Sequence, residues 1–509
     1  MPALGADQKV GVIGAGTMGA GIAQIAAAAG HSVLLFDVRP QAAQQAIEDI
    51  GAALRRLVGK GKLAEQDRSS LIDRITPCAD LAALAPVGLV VEAIVEDLEV
   101  KRSVFGNLEE IVDDSAILAS NTSSISITSI GSGLQHPERL VGMHFFNPVP
   151  LMALVEVVSG LATAPDVADT VFATAEAWGK RPVHTKSTPG FIVNRVARPF
   201  YAEALRVLQE GGGDAATLDA VIREAGGFRM GPFELMDLIG HDVNFEVTRS
   251  VYNAYYQDPR FTPSLIQQEL VAAGYLGRKS GRGFYLYGDS AKRPDPSTAP
   301  KAPQPKTVTV HGNGGPLRAL APLLETASGA AVSRSDADDG DVWLEVDGAV
   351  AIAITDGRTA TQRMSTGGSL PLVLVDLARD YAEARRVALA AADQAAPEER
   401  ERAVGLFQSL GKAVSVLDDV PGLIVMRTVC MLANEAADTV YQGVCSANAV
   451  DTAMRGGVNY PVGPMAWAED IGIDRVVAVL DNLAGIYGED RYRVSPLLRR
   501  KMFSGGALL

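Results

Sequence analysis

Residues 10–19, VGVIGAGTMG, set a G-x-G-x-x-G run (Gly14, Gly16, Gly19) at the end of an apolar stretch, and a second apolar stretch, HSVLLFD, closes on Asp37. A first glycine allows a tight turn from strand to helix, a second lets the backbone approach a pyrophosphate, and a third lets the helix lie close on the sheet with its N-terminal amides facing the phosphates. Asp37 then stands where a carboxylate accepts the two hydroxyls of an adenosine ribose. The same charge repels a phosphate on that ribose, so the pattern favours NAD over NADP, with Arg39 nearby as the one residue that argues the other way. Val10 to Gly30 has no charged residue and superficially resembles a signal or membrane segment. Its glycines and Gln24, and the lack of a long Leu, Ile or Phe block, exclude that reading.

With 509 residues, 47% of them hydrophobic, the chain has the length for several domains with buried cores. Its 46 basic and 60 acidic residues give a formal net charge of −14, which disfavours nucleic acid or an anionic membrane as a partner. An anionic ligand must therefore find local positive charge. Cys78, Cys430 and Cys445 form no C-x-x-C pair and the six histidines show no H-x-x-x-H spacing, so neither a disulfide framework nor a metal site is indicated. No targeting peptide is recognisable, and the cytoplasm is the expected compartment.

Strand and helix signals alternate after Asp37. Residues 42–60 read as a helix, 88–94 (GLVVEAI) as a buried strand, 98–111 as a helix, and 116–119 and 140–145 as further strands. This implies a doubly wound sheet whose ligands meet the carboxyl ends of the strands. Polar residues collect there: Glu92 and Glu96, then Ser120 to Ser124, then His144 and Asn147. In LVGMHFFNPVPLMALVEVVSG, Pro148 and Pro150 force a turn, and the chain returns through the apolar run 151–158 with a single acid, Glu156. Positions 144 and 156 lie symmetrically about Pro150, so arms running back to back make imidazole and carboxylate cross-strand neighbours. Such a pair is a general base, because the acid fixes the tautomer and stabilises the protonated ring. A buried histidine satisfied by a structural ion pair is the competing reading.

Taken together, VIGAGTMGAGIA, VVEAIVED, SNTSSI, GMHFFNPVPLMALVEV, TPGFIVNR and GPFELMDLIG resemble the 3-hydroxyacyl-CoA dehydrogenases, over roughly residues 9–287. The resemblance implies an NAD-dependent oxidoreductase that oxidises the 3-hydroxyl of an (S)-3-hydroxyacyl-CoA thioester, with a Rossmann α/β domain followed by an all-α helical domain. It implies catalytic roles for His144, Glu156, Ser123 and Asn194, the last two at the substrate oxygen. NAD contacts then fall on the turn of Gly14, Gly16, Thr17, Met18 and Gly19, on Asp37, Glu96, Lys101, Ser123 and Asn147, and on Lys279. The CoA tail has no motif; Arg55, Arg56, Lys60 and Lys62 form a local basic cluster that could meet its phosphates. A 3-hydroxybutyryl-CoA or a dicarboxylic 3-hydroxyadipyl-CoA substrate fits the double-length form, in short-chain fatty acid metabolism or phenylacetate catabolism. A related NAD-dependent hydroxy-acid dehydrogenase and a catalytically silent NAD-binding protein are the alternatives.

The length is explained by a repeat. PGFIVNRV at 189–196 recurs as PGLIVMRT at 421–428, Glu203 as Glu435, Asp219 as Asp451, and GPFELMDLIG at 231–240 as GPMAWAEDIG at 463–472, all at a constant offset of 232 positions. Met426 stands where the first copy has Asn194. The expected organisation is a Rossmann domain (1–186), a helical domain (187–288), a Pro-rich extended linker (289–306), a degenerate, shortened α/β unit without a second active site (307–417) and a second copy of the helical domain (418–509). Thr188 and Pro189 look like the cap and start of a helix running to about Leu208. The two helical copies are expected to pack as an intramolecular pseudo-dimer, with further homo-oligomer formation left open.

Overall fold

The computed structural model describes residues 2–289, 291–335 and 340–509, which divide into two compact units: residues 1–195 with 442–458, and residues 196–441 with 459–509. The first unit holds an eight-stranded sheet of β1 (Lys9–Ile13), β2 (Val33–Phe36), β3 (Ile75–Cys78), β4 (Val87–Glu92), β5 (Ile117–Ser120), β6 (Leu140–Phe145), β7 (Leu154–Ser159) and β8 (Arg181–Lys186). Their order is β3-β2-β1-β4-β5-β6-β7-β8. The first six are parallel in the order 3-2-1-4-5-6 of the Rossmann fold, and β7 reverses direction against β6. Val10, Val12, Leu89, Val91 and Ala119 are buried under the helices Thr17–Ala28 and Ala42–Gly59, while Val90, Leu118 and Phe105 fill the layer on the other face. A sheet covered on both faces demands such near-continuous apolar strands, and that is why they are legible in the sequence.

Helices 42–59 and 98–111 lie within a residue of expectation. The segment after Thr188 does not. Gly190 and Phe191 take positive φ (76° and 47°), and regular helix starts only at Val193, as the short Val193–Val196 followed by Arg198–Gln209. At that start the Glu156 carboxylate accepts the amides of Ile192 and Val193 (2.9 and 3.0 Å), two donors that a helix's first turn leaves without an intrahelical partner. The apolar run after the double-proline turn likewise becomes strand at Leu154 rather than Leu151, because the amides of Leu151 and Met152 turn back to the Pro148 carbonyl.

The second unit carries helices Arg198–Gln209, Ala215–Glu224, Pro232–Ile239 and His241–Ala254, a second sheet, and helices Val425–Tyr441, Pro464–Ile471, Ile473–Tyr487 and Pro496–Ser504. Its strands are β9 (Thr307–His311), β10 (Ala331–Ser335), β11 (Trp343–Val346), β12 (Val350–Ile354), β13 (Leu372–Val375), β14 (Arg386–Ala391) and β15 (Ala413–Val416), in the order β10-β9-β11-β12-β13-β14-β15. β13 and β14 are antiparallel, as β6 and β7 are. The Pro-rich segment is extended, as its composition requires, but it is docked rather than free. Ser297 donates to Thr217 (2.8 Å), Ala299 to the Val414 carbonyl (2.8 Å), and Arg293 pairs with Asp219 and Glu234.

Candidate active site

β6 and β7, both almost wholly buried, pair in an antiparallel register that sets His144 opposite Glu156. The imidazole Nδ1 lies 2.6 Å from Glu156 Oε2, and Glu156 is fully buried. A buried carboxylate is costly unless its oxygens are met. Here one oxygen takes the imidazole and the other takes the two amides of Ile192 and Val193. With Nδ1–H facing the acid, Nε2 is the ring atom left to exchange a proton. Phe146 and Phe191 pack on the ring at centroid distances of 4.6 and 5.7 Å. Asn194 is half-buried, one residue beyond the amide that Val193 donates to Glu156.

Ser123 sits on the loop after β5, and Glu96 gathers that loop. One Glu96 oxygen accepts from Thr122 Oγ1 (2.7 Å), the Ser123 amide (2.9 Å), and the Ser124 amide and hydroxyl (3.0 and 2.9 Å), with Ser123 Oγ at 3.4 Å. Burial works against ionisation of Glu96, but the Thr122 hydrogen bond and the Lys101 ammonium outweigh it and hold the carboxyl below its usual range. Lys101 is only 1% exposed. Its ammonium lies 2.7 Å from Glu92 and 3.4 Å from Glu96, the acid that gathers the Ser123 loop. Two polar contacts were not anticipated. Asn121 Oδ1 accepts the Phe145 amide (2.8 Å), tying the serine loop to the His144 strand, and Glu92 receives Ser120 Oγ (2.7 Å). An Asn in SNTSSI was the only signal for the first, and it has no periodicity to betray it.

The glycine turn fits a dinucleotide. Gly14 has φ 98°, and a Cβ there would strike the Ala93 carbonyl; a Cβ on Gly19 would strike the Gly14 carbonyl. A Cβ on Gly16 would meet nothing within 4 Å, so open space lies over the start of a 12-residue helix that has neither a side-chain cap nor an acid in its first turn. That space suits a pyrophosphate. Thr17 is exposed and Met18 half-buried beside it. Asp37 accepts from the Ala15 amide (2.8 Å) and from Arg39 (3.0 Å). Burial opposes its charge, yet the Arg39 guanidinium and the two amides bring the carboxyl down to about 2. A groove of about 580 Å³ continues past Gly16, Gln24 and Arg39 to Asn147 and Pro150, the Asn147–Pro148 peptide being cis. Arg55, Arg56, Lys60 and Lys62 are exposed at the far end of the helix Ala42–Gly59 and beyond it. Lys279 belongs to the other compact unit, where its ammonium meets Asp242 at 2.6 Å.

In the second unit the position 232 after His144 is Asp376, at the end of β13, and the position 232 after Glu156 is Ala388. Asp376 accepts the amides of Ile424, Val425 and Met426 (3.0, 2.8 and 3.0 Å). A carboxylate is thus kept at the helix start while the imidazole is lost. Among the described residues no group of three or more potential ligands could hold a metal ion, and no helix is long and apolar enough to cross a membrane.

Comparison with known proteins matches residues 9–188 to the family described as 3-hydroxyacyl-CoA dehydrogenase, NAD binding domain, and residues 190–287 and again 422–508 to 3-hydroxyacyl-CoA dehydrogenase, C-terminal domain. Residues 352–421 match the 3-hydroxybutyryl-CoA dehydrogenase reduced Rossmann-fold domain. A 3-hydroxyadipyl-CoA dehydrogenase of Escherichia coli is 44% identical over 494 residues, 97% of each chain. A crystal structure described as 3-hydroxybutyryl-CoA dehydrogenase from Escherichia coli superposes with a TM-score of 0.88 at 43% identity, covering 98% of this chain and 99% of the other. The mitochondrial hydroxyacyl-coenzyme A dehydrogenase of Sus scrofa is 40% identical over 287 residues, 55% of this chain and 91% of its own.

Proposed function

Because the chain belongs to the 3-hydroxyacyl-CoA dehydrogenase family and is an NAD-dependent oxidoreductase of that kind, we propose that His144 and Glu156 are its acid–base pair. The observation that carries the reading is the 2.6 Å contact between a buried carboxylate and the imidazole directly across two antiparallel strands, at the carboxyl end of β6. Bound NAD supplies the hydride acceptor. What the chain must supply is a place for the hydroxyl proton, since positive character at carbon 3 is relieved only as that proton leaves. His144 Nε2 takes it, and Glu156 holds Nδ1–H in line and stabilises the imidazolium. Ser123, held by Glu96, and Asn194 polarise the substrate oxygen as it becomes a carbonyl. In reduction the imidazolium returns the proton.

The glycine turn of Gly14 to Gly19, Asp37, Glu96 and Asn147 are proposed to hold the dinucleotide, and the cluster Arg55, Arg56, Lys60 and Lys62 to meet the CoA phosphates. For the acyl group we propose a short chain or a dicarboxylic one, since close relatives carry the names 3-hydroxybutyryl-CoA and 3-hydroxyadipyl-CoA dehydrogenase. With three unpaired cysteines, the proposed compartment is the reducing cytoplasm. Turnover on both substrates, and on acetoacetyl-CoA with NADH, tests the reading. His144→Gln is expected to lose several orders of magnitude in kcat with NADH affinity little changed, and retained turnover would remove the mechanism.

The duplicated helical domain is proposed to form an intramolecular pseudo-dimer. Its support is reciprocal pairing at the 232 offset: Arg427 donates to Glu210 and Arg195 to Gln442 (both 2.9 Å), while Tyr492 donates to Glu203 (2.9 Å) and Arg260 to Glu435 (3.0 Å). In each couple the partners exchange copies, which is the signature of an isologous contact. The helices follow suit, with Ala215–Glu224 packing on β14 and Ala447–Val458 on β7.

A further inference from the structure

We propose that the helix Ala447–Val458, from the half of the chain that has lost its own catalytic residues, is a working wall of the His144–Glu156 site, and that Gly457 is a positioning residue for that pair. The inference rests on the assignment of His144 and Glu156 as the acid–base pair. Although separated by about 250 residues of sequence, residues 442–458 belong to the same compact unit as 1–195. The helix packs on β7 and β8, the Lys186 amide donates to the Val444 carbonyl (3.0 Å), and Arg195 donates to Gln442. Val450, Ala453, Met454 and Gly457 form its buried stripe at helical spacing.

Gly457 ends that stripe where the approach is tightest. A Cβ there would lie 2.7 Å from Leu154 Cδ2, 3.1 Å from Val193 Cγ2 and 3.7 Å from Phe146 Cε1. Each of these three residues bears on the pair. Phe146 packs on the imidazole, Val193 gives its amide to Glu156, and Leu154 shares a face of β7 with Glu156. Gly457 has ordinary helical geometry, so close approach rather than backbone freedom is what the missing side chain provides. The position 232 earlier is Ala225, at the end of the helix that packs on β14, where no imidazole stands. Cys445, on the same stretch, feels the site: burial pushes its thiol up to about 12, with the Glu156 charge adding to the rise and Arg195 opposing it.

The test uses the full chain. Gly457→Ala is expected to lower kcat for acetoacetyl-CoA reduction roughly tenfold, with NADH affinity within twofold of wild type, and to move the apparent pKa in the kcat/KM profile toward lower pH as the Glu156 contact loosens. Adding Leu154→Val, which removes the clashing methyl, should restore most of the rate. Gly485→Ala, an exposed helical glycine with nothing within 4 Å of its Cβ position, is the control and should leave activity unchanged. A folded Gly457→Ala enzyme with wild-type kcat and pH profile would overturn the proposal. So would a loss that follows NADH affinity or melting temperature alone, and so would an alanine variant that does not fold, since Gly457 would then serve folding only. If instead the wild-type chain is active and His144→Gln is as active, it is the assignment of the pair that fails.

Discussion

Glu156 does two things with one carboxylate: it orients the imidazole and it closes two backbone amides at a helix start. The two roles separate by substitution. Glu156→Gln keeps an oxygen for the amides but presents an NH₂ to Nδ1, so it should stay folded and lose most turnover. Glu156→Ala strands two buried amides as well, and should cost about 2–4 kcal/mol of stability in chemical denaturation. Equal stability of the two variants would show that the amide contacts matter little. The sequence made Glu156 visible because an acid interrupts an otherwise apolar strand. It could not show the amides, since Ile192 and Val193 contribute through their backbones, which no side-chain pattern encodes. For the same reason the sequence does not show that regular helix begins after Pro189: Gly190 and Phe191 take positive φ, and the amides of the next two residues go to Glu156 rather than into a helix.

At the scale of elements, the loops at the carboxyl ends of β4, β5 and β6 are fastened to one another by polar side chains. Lys101 on the helix Leu98–Ile111 neutralises Glu92 and Glu96; Glu96 gathers residues 122–124; Asn121 holds the Phe145 amide. Removing the cation leaves the fully buried Glu92 carboxylate without its counter-charge, and the half-exposed Glu96 without its link to it. Lys101→Met should therefore destabilise the protein by roughly 3–5 kcal/mol and, where it folds, raise KM through a loosened Ser123 loop. An unchanged melting temperature would contradict this account. In the second unit Asp376 invites a pH experiment. Burial lifts its carboxyl to about 6 against an ordinary 3.8, opposed by four backbone amides. A raised folded value means that its contribution to stability is complete below about pH 4 and fades as the pH climbs through 6. Asp376→Asn should flatten that stretch of the curve of melting temperature against pH, and a slope unchanged by the substitution would rule the residue out.

For the whole molecule, the central strands of the first sheet and the Pro-rich segment were legible from apolar runs, the glycine turn and composition, because each is a local property, while 307–417 was legible only as a degenerate α/β unit whose seven strands carry no such signal. The docking of the Pro-rich segment through Arg293 and Ser297 was not legible, nor was the grouping of 442–458 with the first 195 residues, since both depend on contacts between parts of the chain far apart in sequence. The repeat hinted at symmetry without saying which surfaces meet. A chain cut at Gly288 lacks the helix that packs on β7 and β8, so it should dimerise or lose solubility. A monodisperse, active monomer of that length, seen by light scattering, would argue against the pseudo-dimer.

The same discontinuity sets a schedule for biosynthesis. A ribosome adds roughly 5–20 residues each second, so β7 and β8 emerge on the order of 10–50 s before the helix that will seal them. Throughout that interval the face of β7 that carries Leu154, beside His144, lacks the helix that covers it in the finished chain.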